Sequence, residues 1–492
     1  MVDRNSPIPI YYQLKLHFKQ QMKSGLLQPG DRLPTEMKLC RQLGISRAPV
    51  RQALTELARE GFIYRRPGQG TFVAPESAAR LSQRTTIRIL TYYDVLWMAS
   101  LEQAVHHWNF SHPEQEVDLT VTMCPRSEFH QVLRRAVAKG EAPDMVPLDY
   151  VWITNYARAG YIVPLDTLDA LWTRILREDL EPVVAHHNTV DGKLYGLPTQ
   201  ADVTGMWYRR DWFAKEGLTP PETWDAWLAL LDHFSSPGMR QRWGHRYAGA
   251  FPIGTAAGEA TLNLLLPFVW VAGGELLDEK GNLALDTPAL RRALRFLQQI
   301  TLERRAALPP QMASYRWWNI CRLLGRGITP MTLGGTYEWP RIREESEWTD
   351  EADAVAHLGF VPVPRPSLDA PPVSSLGGTS WVILQQSPAR EVCLEILKLV
   401  VLPENLAAFC GDGLQISAYR SLNRRLATTP EHPWLAKVIP LLSLARSRPL
   451  LSDYPQVSRF LQKMLEQVLW VGAPLEETVR QTAQALALLL EY

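Results

Sequence analysis

Two groups of residues in this chain have the types and spacing to do chemistry. Near the amino terminus Arg47, Ala48, Arg51, Gln52 and Thr55 recur at helical spacing, and Arg65, Arg66, Gly68, Gln69 and Gly70 follow in a short turn. Guanidinium groups along a helix face can bond guanine edges or phosphates in a major groove, and a basic glycine turn can reach the neighbouring minor groove. Further along, aromatic and acidic residues stand at the ends of strand-like runs or in loops: Tyr93, Asp94 and Trp97; Asp149, Tyr150 and Trp152; Asp202 and Trp207; Trp270; Tyr337, Glu338 and Trp339. Flat rings can cover the C–H faces of a small molecule and carboxylates can accept from its hydroxyls. Gly377 and Gly378 are expected to let backbone N–H groups approach the same ligand. Asp94 and Asp202 are equally suited to capping helices.

No other reaction chemistry is visible. There is no GxxxxGK[ST] phosphate loop, no GxSxG elbow and no HExxH pair. The five cysteines, Cys40, Cys124, Cys321, Cys393 and Cys410, are scattered without CxxC spacing and read as reduced thiols. His106-His107 and His186-His187 are adjacent pairs, and neighbours on a helix do not share a face. Neither a metal nor a cofactor is expected. A glycoside-hydrolysing body is the enzymatic alternative, because a catalytic carboxylate pair is defined by separation in space. A body that recognises a protein partner is a third reading.

The elements that must hold the first group are legible. Tyr11, Leu14, Phe18 and Met22 recur at helical spacing up to Gly25 and Pro29-Gly30. A turn at Asp31 to Pro34 leads to Thr35, which caps a short helix closed by Gly44. Ser46 opens a third helix whose apolar side is Val50, Leu54, Leu57 and Ala58, with Pro49 in the tolerated first turn. Residues 62–66 and 71–73 then flank a tight turn, the pattern of a hairpin. A solvated basic face on a structural helical domain is the plain alternative. Four stretches in register oppose it: Ile10 to Leu14, Leu27 to Glu36, Ser46 to Leu54, and Gly68 to Val73. Over residues 8–74 they resemble the GntR family of bacterial transcription regulators. That resemblance implies a winged helix-turn-helix, with Arg47, Ala48 and Arg51 at bases or phosphates and Gly68 to Gly70 in the wing. Met37 stands where the family often has a basic residue, so no DNA contact is carried over there.

The length of 492 residues, at about 150 per domain, suggests roughly three units. The formal net charge of +1 conceals an asymmetry: residues 1–75 hold twelve Lys+Arg against five Asp+Glu, and the remainder forty against forty-six. A basic head is an electrostatic footprint for nucleic acid. No apolar run spans a bilayer and the first residues have no signal-peptide core, so no membrane partner and a cytoplasmic location are expected. Residues 76–85 read as a linker between a head at 1–75 and a body at 86–492.

In the body, strand-like runs at 87–93, 117–123, 145–148, 328–333 and 381–384 alternate with helical stretches. A fused aminotransferase is disfavoured by the absence of a Schiff-base lysine motif. Gly140 to Val146, Gly160 to Asp166, Val190 to Pro198, Met206 to Phe213, Glu216 to Asp225, Gly325 to Met331, Gly359 to Pro364 and Gly377 to Ile383 occur in an order that resembles the carbohydrate class of extracellular solute-binding proteins. Arg209-Arg210 departs from the usual Asn-Lys of that class. The combined resemblance implies a multidomain chain: an N-terminal winged helix-turn-helix (α+β), then a two-lobed α/β periplasmic-binding-protein-like fold. It further implies operator DNA and a small effector, a sugar or oligosaccharide, as partners, and a homodimer. Trp224 and Trp227, beside a helix start, are expected to pack.

Overall fold

The computed structural model describes residues 10–59, 61–75, 85–92, 95–112, 115–126, 128–451 and 453–490. The chain divides into two compact units, Met1–Val146 with Gln386–Val400, and Pro147–Gln385 with Val401–Tyr492.

The first unit opens with α1 (Ile10–Lys23), α2 (Glu36–Leu43), α3 (Arg47–Arg59), β1 (Ile63–Arg66) and β2 (Gly70–Val73). Thr35 Oγ1 accepts the Lys38 N–H at 3.2 Å, which starts α2, and Gly44 at φ 62° ends it in the left-handed turn that glycine enters without strain. Leu14, Phe18 and Met22 from α1, Leu39 from α2, Val50, Leu54 and Leu57 from α3, and Phe62, Ile63 and Val73 from the hairpin form one buried core. The strands β1 and β2 are antiparallel, with Ile63 opposite Val73 and Arg66 opposite Gly70. The segment expected as a simple turn at 31–34 does more. Leu33 N–H donates to the Thr71 carbonyl at 2.9 Å, Val73 N–H donates to the Asp31 carbonyl at 2.9 Å, and Arg32 pairs antiparallel with Phe72. This segment is a third edge of the wing.

The same unit continues through β3 (Thr85–Thr91), α4 (Val95–Ser111), β4 (Val117–Met123) and α5 (Phe129–Ala138) to β5 (Met145–Asp149). Thr85 is already in the sheet, so the expected linker is shorter at its end, and residues 76–84 lie outside the described residues. The strands β3 and β4 are parallel from Thr85 opposite Val117 to Thr91 opposite Met123, and Ile89 lies opposite Met145. Asp144, 1 % exposed, accepts from the Arg88 N–H at 2.7 Å, from Arg88 Nε at 3.0 Å and from Ser387 Oγ at 2.7 Å. The aspartate of the Gly140 to Val146 motif is therefore a structural pin between β3 and the returning segment Gln386–Val400.

In the second unit β5 ends directly at α6 (Tyr150–Arg158), and the spine is β6 (Leu197–Arg209). All of its residues except Arg209 are buried. Around it stand α7 (Glu259–Val271), β7 (Met331–Gly335), β8 (Leu358–Val361), β9 (Ser374–Ile383), β10 (Ile416–Ser417) and α8 (Tyr454–Glu466). Leu197 to Val203 pair antiparallel with β9, and Gln200 and Ala201 also with β10; Thr204 to Tyr208 pair with β7 and Met206 to Arg209 with β8. The run expected at 328–333 is displaced to 331–335, and 381–384 proves to be the end of the longer β9. The sequence pattern did not indicate β6, because a strand covered on both faces shows no alternation. Trp224 and Trp227 pack as expected; Trp224 stacks on Phe296 at 4.3 Å between centroids.

Replacing Asp144 by Ala removes the acceptor of the Arg88 N–H and of the Ser387 hydroxyl proton, a cost of about 1–3 kcal/mol. Urea unfolding at neutral pH is expected to show a lower midpoint for Asp144→Ala; an unchanged midpoint would mean that the pin contributes nothing.

Candidate DNA face and candidate solute site

On α3 the sequence-predicted residues Arg47, Ala48, Arg51, Gln52 and Thr55 are all exposed, while Val50, Ala53, Leu54 and Leu57 are buried on the other side. Arg47 Nε lies 2.9 Å from Glu36 Oε2, which sets its direction from α2. Arg65 Nη2 donates to Thr55 Oγ1 at 3.4 Å and so ties the wing to α3. The Arg66 guanidinium lies 5.3 Å from the centroid of Tyr64 and 5.5 Å from that of Phe72, a cation–π arrangement that holds it on the hairpin. Gly68 at φ 72° makes the turn, and Gln69 N–H donates to the Arg66 carbonyl at 3.0 Å. A methyl group on Gly70 would lie 2.9 Å from Arg32 Nε, so the exposed Arg32 side chain crosses the wing at the glycine. Sequence reading did not select Arg32, because its place in the wing depends on the unanticipated third edge. Met37 is 61 % exposed and brings no charge to this face.

In the second unit the remaining predicted residues separate into a polar cluster and a core. Asp202 stands opposite Gly377 across the β6–β9 pair, and its carboxylate occupies the space where a side chain at 377 would begin. Gly378, at φ 141°, is covered in the same way by the ring of Tyr150, whose hydroxyl donates to the Gln200 carbonyl. The two glycines therefore make room for the protein's own side chains, Asp202 and Tyr150. Asp149 ends β5 and accepts from Thr379 Oγ1 at 3.4 Å.

Arg448 faces this cluster. It is 4 % exposed, and its Nη1 lies 3.2 Å from Glu259 Oε2. Burial alone would lower its guanidinium; Tyr454, Glu259, Asp149 and Asp202 together turn the shift upward. Burial pushes the Glu259 carboxyl up against the opposing pull of Arg448, Ser458 and Tyr454. Tyr454 Oη donates to Glu259 Oε2 at 3.0 Å, and the Ser458 hydroxyl donates to Oε1. Trp152 meets Tyr454 edge to face at 6.2 Å, and Tyr150 stacks with His187 at 6.1 Å. Burial, then Arg448 and His186, depress His187 to about 3, so it is neutral at physiological pH. Three carboxylates and one guanidinium, packed among aromatic rings, form a buried polar cluster that is a candidate for holding a ligand rich in hydroxyls.

The other predicted residues are elsewhere. Trp207 and Trp339, both 0 % exposed, stack with Trp434 at 4.9 and 4.2 Å. Glu338 is equally buried, and burial pushes its carboxyl well above the usual carboxylate range. These three are core residues, correcting the expectation that they contact ligand. Trp270 donates to Glu275 Oε2 at 3.1 Å, and Arg446 covers its ring at 4.9 Å. Tyr337 packs edge to face on Trp317 at 5.4 Å. In the first unit Trp97 is 6 % exposed and meets Tyr92 edge to face at 6.0 Å; Tyr93 and Asp94 lie outside the described residues.

Residues 96–407, more than half of the 492-residue chain, match the family described as bacterial extracellular solute-binding protein. The chain belongs to that family. Residues 10–73 match the bacterial regulatory proteins of the gntR family, so a gntR-type head is fused to a solute-binding body. The chain is 47% identical over 85 residues to the HTH-type transcriptional repressor NagR of Bacillus subtilis, covering 17% of this chain and 35% of that one. It is 22% identical over 307 residues to a lactose-binding protein of Rhizobium radiobacter, covering 61% and 66%. The matches thus span between about a third and just under two-thirds of these relatives' own lengths. The structure of maltose-bound T. maritima MalE3 covers 82% of this chain and 100% of that chain with a TM-score of 0.70 at 20% sequence identity. The likeness establishes the fold of the body as the two-lobed one of maltose-binding proteins.

Within this solute-binding body, Glu259, Arg448 and Tyr454 were not selected from sequence. Arg448 lies in an irregular segment without periodicity. A signal did exist for Glu259, which opens an apolar helix directly after the glycine-bracketed turn Gly254 to Gly258, where φ is 141° and 60°. At Gly377 and Gly378, alanine would displace Asp202 and Tyr150 respectively, an overpacking cost of about 1–3 kcal/mol. Each variant is expected to unfold at lower urea than wild type; two unchanged midpoints would show that neither side chain needs the glycine.

Proposed function

We propose that this chain is a cytoplasmic, homodimeric transcription regulator whose gntR-type head binds double-stranded operator DNA and whose body binds an uncharged sugar or oligosaccharide. It needs no cofactor and performs no covalent chemistry. The observation that carries the reading is the presence in one chain of an exposed arginine face on a winged helix and a solute-binding body with Arg448 among Asp149, Asp202 and Glu259. Carboxylates outnumber the guanidinium there, which favours a hydroxyl donor over an anion. The repressor, the lactose-binding protein and the maltose complex among its relatives support the same pairing. A dimer would place two recognition helices on half-sites about one DNA turn apart.

Linkage requires that solute and operator alter each other's affinity equally, by about 5- to 150-fold in typical cases. Titrating maltose, lactose and a panel of oligosaccharides against tryptophan fluorescence, then measuring affinity for the chain's own upstream promoter fragment with and without the binding sugar, tests this. Saturable binding together with a shifted operator affinity is expected. Hydrolysis of the sugar would replace the sensor with an enzyme, and no saturable binding would favour a protein-recognising body.

For the head, Arg51→Ala is expected to lose specific operator binding with the fold intact, since the residue is exposed. Arg32→Ala is expected to weaken all DNA sequences alike and reduce the salt slope of binding by about 1. Electrophoretic mobility shifts across a salt series check both; sequence-specific loss at Arg32 would contradict its place as a phosphate contact.

A further inference from the structure

The helix α1 carries two lysines, Lys15 and Lys19, one turn apart at i and i+4, beside the apolar stripe that packs into the head's core. Lys15 is 4 % exposed, and its Nζ lies 3.3 Å from Glu56 Oε2 and 3.5 Å from Glu102 Oε1. Lys19 Nζ lies 3.0 Å from Asp118 Oδ1 and 4.5 Å from the centroid of Phe62. Asp118 is itself buried, at 6 % exposure. Glu102 is on α4 and Asp118 on β4, so both belong to the solute-binding body, whereas Glu56 is on the recognition helix. A lysine with open water around it keeps its ammonium hydrated, and its burial between carboxylates from two domains marks a made interface. Glu56 also accepts from Gln52 Nε2, at 3.5 Å, and Gln52 belongs to the predicted DNA face. Four side chains, Glu102, Lys15, Glu56 and Gln52, thus run without a gap from the body's first helix to the base-reading side of α3. The same α4 carries Trp97 in its first turn.

We propose that Glu102 and Asp118 form the docking surface for the head, and that Lys15, shared between Glu102 and Glu56, transmits solute occupancy to the recognition helix. Transmission rests on the solute-responsive regulator proposed above; the dock does not. If α4 shifts, Lys15 loses Glu102 while its pair with Glu56 remains, and the position of Glu56 sets that of Gln52. Lys19 and Asp118 hold the head in place while this exchange occurs.

The test uses the full chain with Glu102→Gln, Lys15→Met and the double substitution Glu102→Gln/Asp118→Asn. Without any sugar, hydrogen exchange of the α1 amides is expected to rise severalfold in the last variant, with the rest of the body unchanged; unaltered exchange overturns the dock. With the sugar that binds wild type, the ratio of operator affinities with and without it is expected to fall to within about twofold of unity in Glu102→Gln and in Lys15→Met, twofold being the error of independent sites. Glu102→Gln keeps wild-type sugar binding and wild-type affinity for nonspecific DNA. Combining it with Lys15→Met should give no further loss, since both remove one link. Retention of the full ratio in Glu102→Gln overturns transmission. A ratio of one in wild type itself would instead sink the solute-responsive reading, and the exchange result would then decide the dock by itself.

Discussion

A strand with both faces covered can leave none of its polar groups to water, and Leu197–Arg209 carries Thr199, Gln200, Asp202 and Thr204 in that setting. Its backbone groups are matched by side chains from other parts of the chain. Val203 N–H finds Thr336 Oγ1 at 3.1 Å; Thr204 N–H finds Ser374 Oγ at 2.8 Å, and that hydroxyl returns its proton to the Thr204 carbonyl. The Gln200 carbonyl takes the Tyr150 hydroxyl. These partners come from segments far apart in sequence, and satisfying them fixes where β7, β9 and α6 lie against β6. The polar site follows from the same requirement. Asp202 projects over Gly377 because the register puts them opposite, and Tyr150 covers Gly378 because its hydroxyl is held at Gln200.

Arg448 is the counterpart of this constraint. A guanidinium that is 4 % exposed is tolerated only with carboxylates around it, and removing one partner from such a buried group costs more than the pair contributes. Glu259 is held by Tyr454 and Ser458, so it cannot turn away from Arg448 without abandoning two hydroxyl donors. The cluster is thereby held in one arrangement by its own hydrogen bonds. Its aromatic walls are part of the same packing: Trp152 leans on Tyr454, and Tyr454 on Glu259.

The head was legible in the sequence because its determinants are local. Caps, a left-handed glycine, a proline in the first turn and an apolar stripe all act within a few residues, and α2, α3 and the hairpin fall where those signals place them. What the sequence hid was the pairing of Arg32 with Phe72, which depends on two segments meeting. In the body the order of α/β elements was readable, whereas β6 was not, since its burial is symmetrical and its composition polar. The candidate cluster was half legible. Asp149, Tyr150 and Asp202 stand at strand ends or in strands and were selected from sequence; Glu259 and Arg448 reach the cluster from segments with no periodic signal. The seventeen tryptophans misled in the opposite direction. Trp207, Trp339 and Trp434 spend their area on one another, as large rings in a core usually do.

The charge asymmetry between head and body also acquires a finer structure. Two sets of the head's cations differ by type as well as by place. Arg32, Arg47, Arg51, Arg65 and Arg66 are exposed on the recognition helix and wing, whereas Lys15 and Lys19 are turned onto Glu102 and Asp118. Guanidinium groups present a planar fork that matches a base edge or a phosphate and stay charged in any surroundings. An ammonium is a point charge with three donors that can be shared, so one lysine can join two carboxylates on different helices. A lysine at position 51 would lose the fork, and an arginine at position 15 would bring a planar group into a space that now holds a compact ammonium between Glu56 and Glu102. These two sets of cations in the head therefore differ in chemistry as well as in place, the guanidiniums open on the helix face and wing and the ammoniums paired with Glu102 and Asp118.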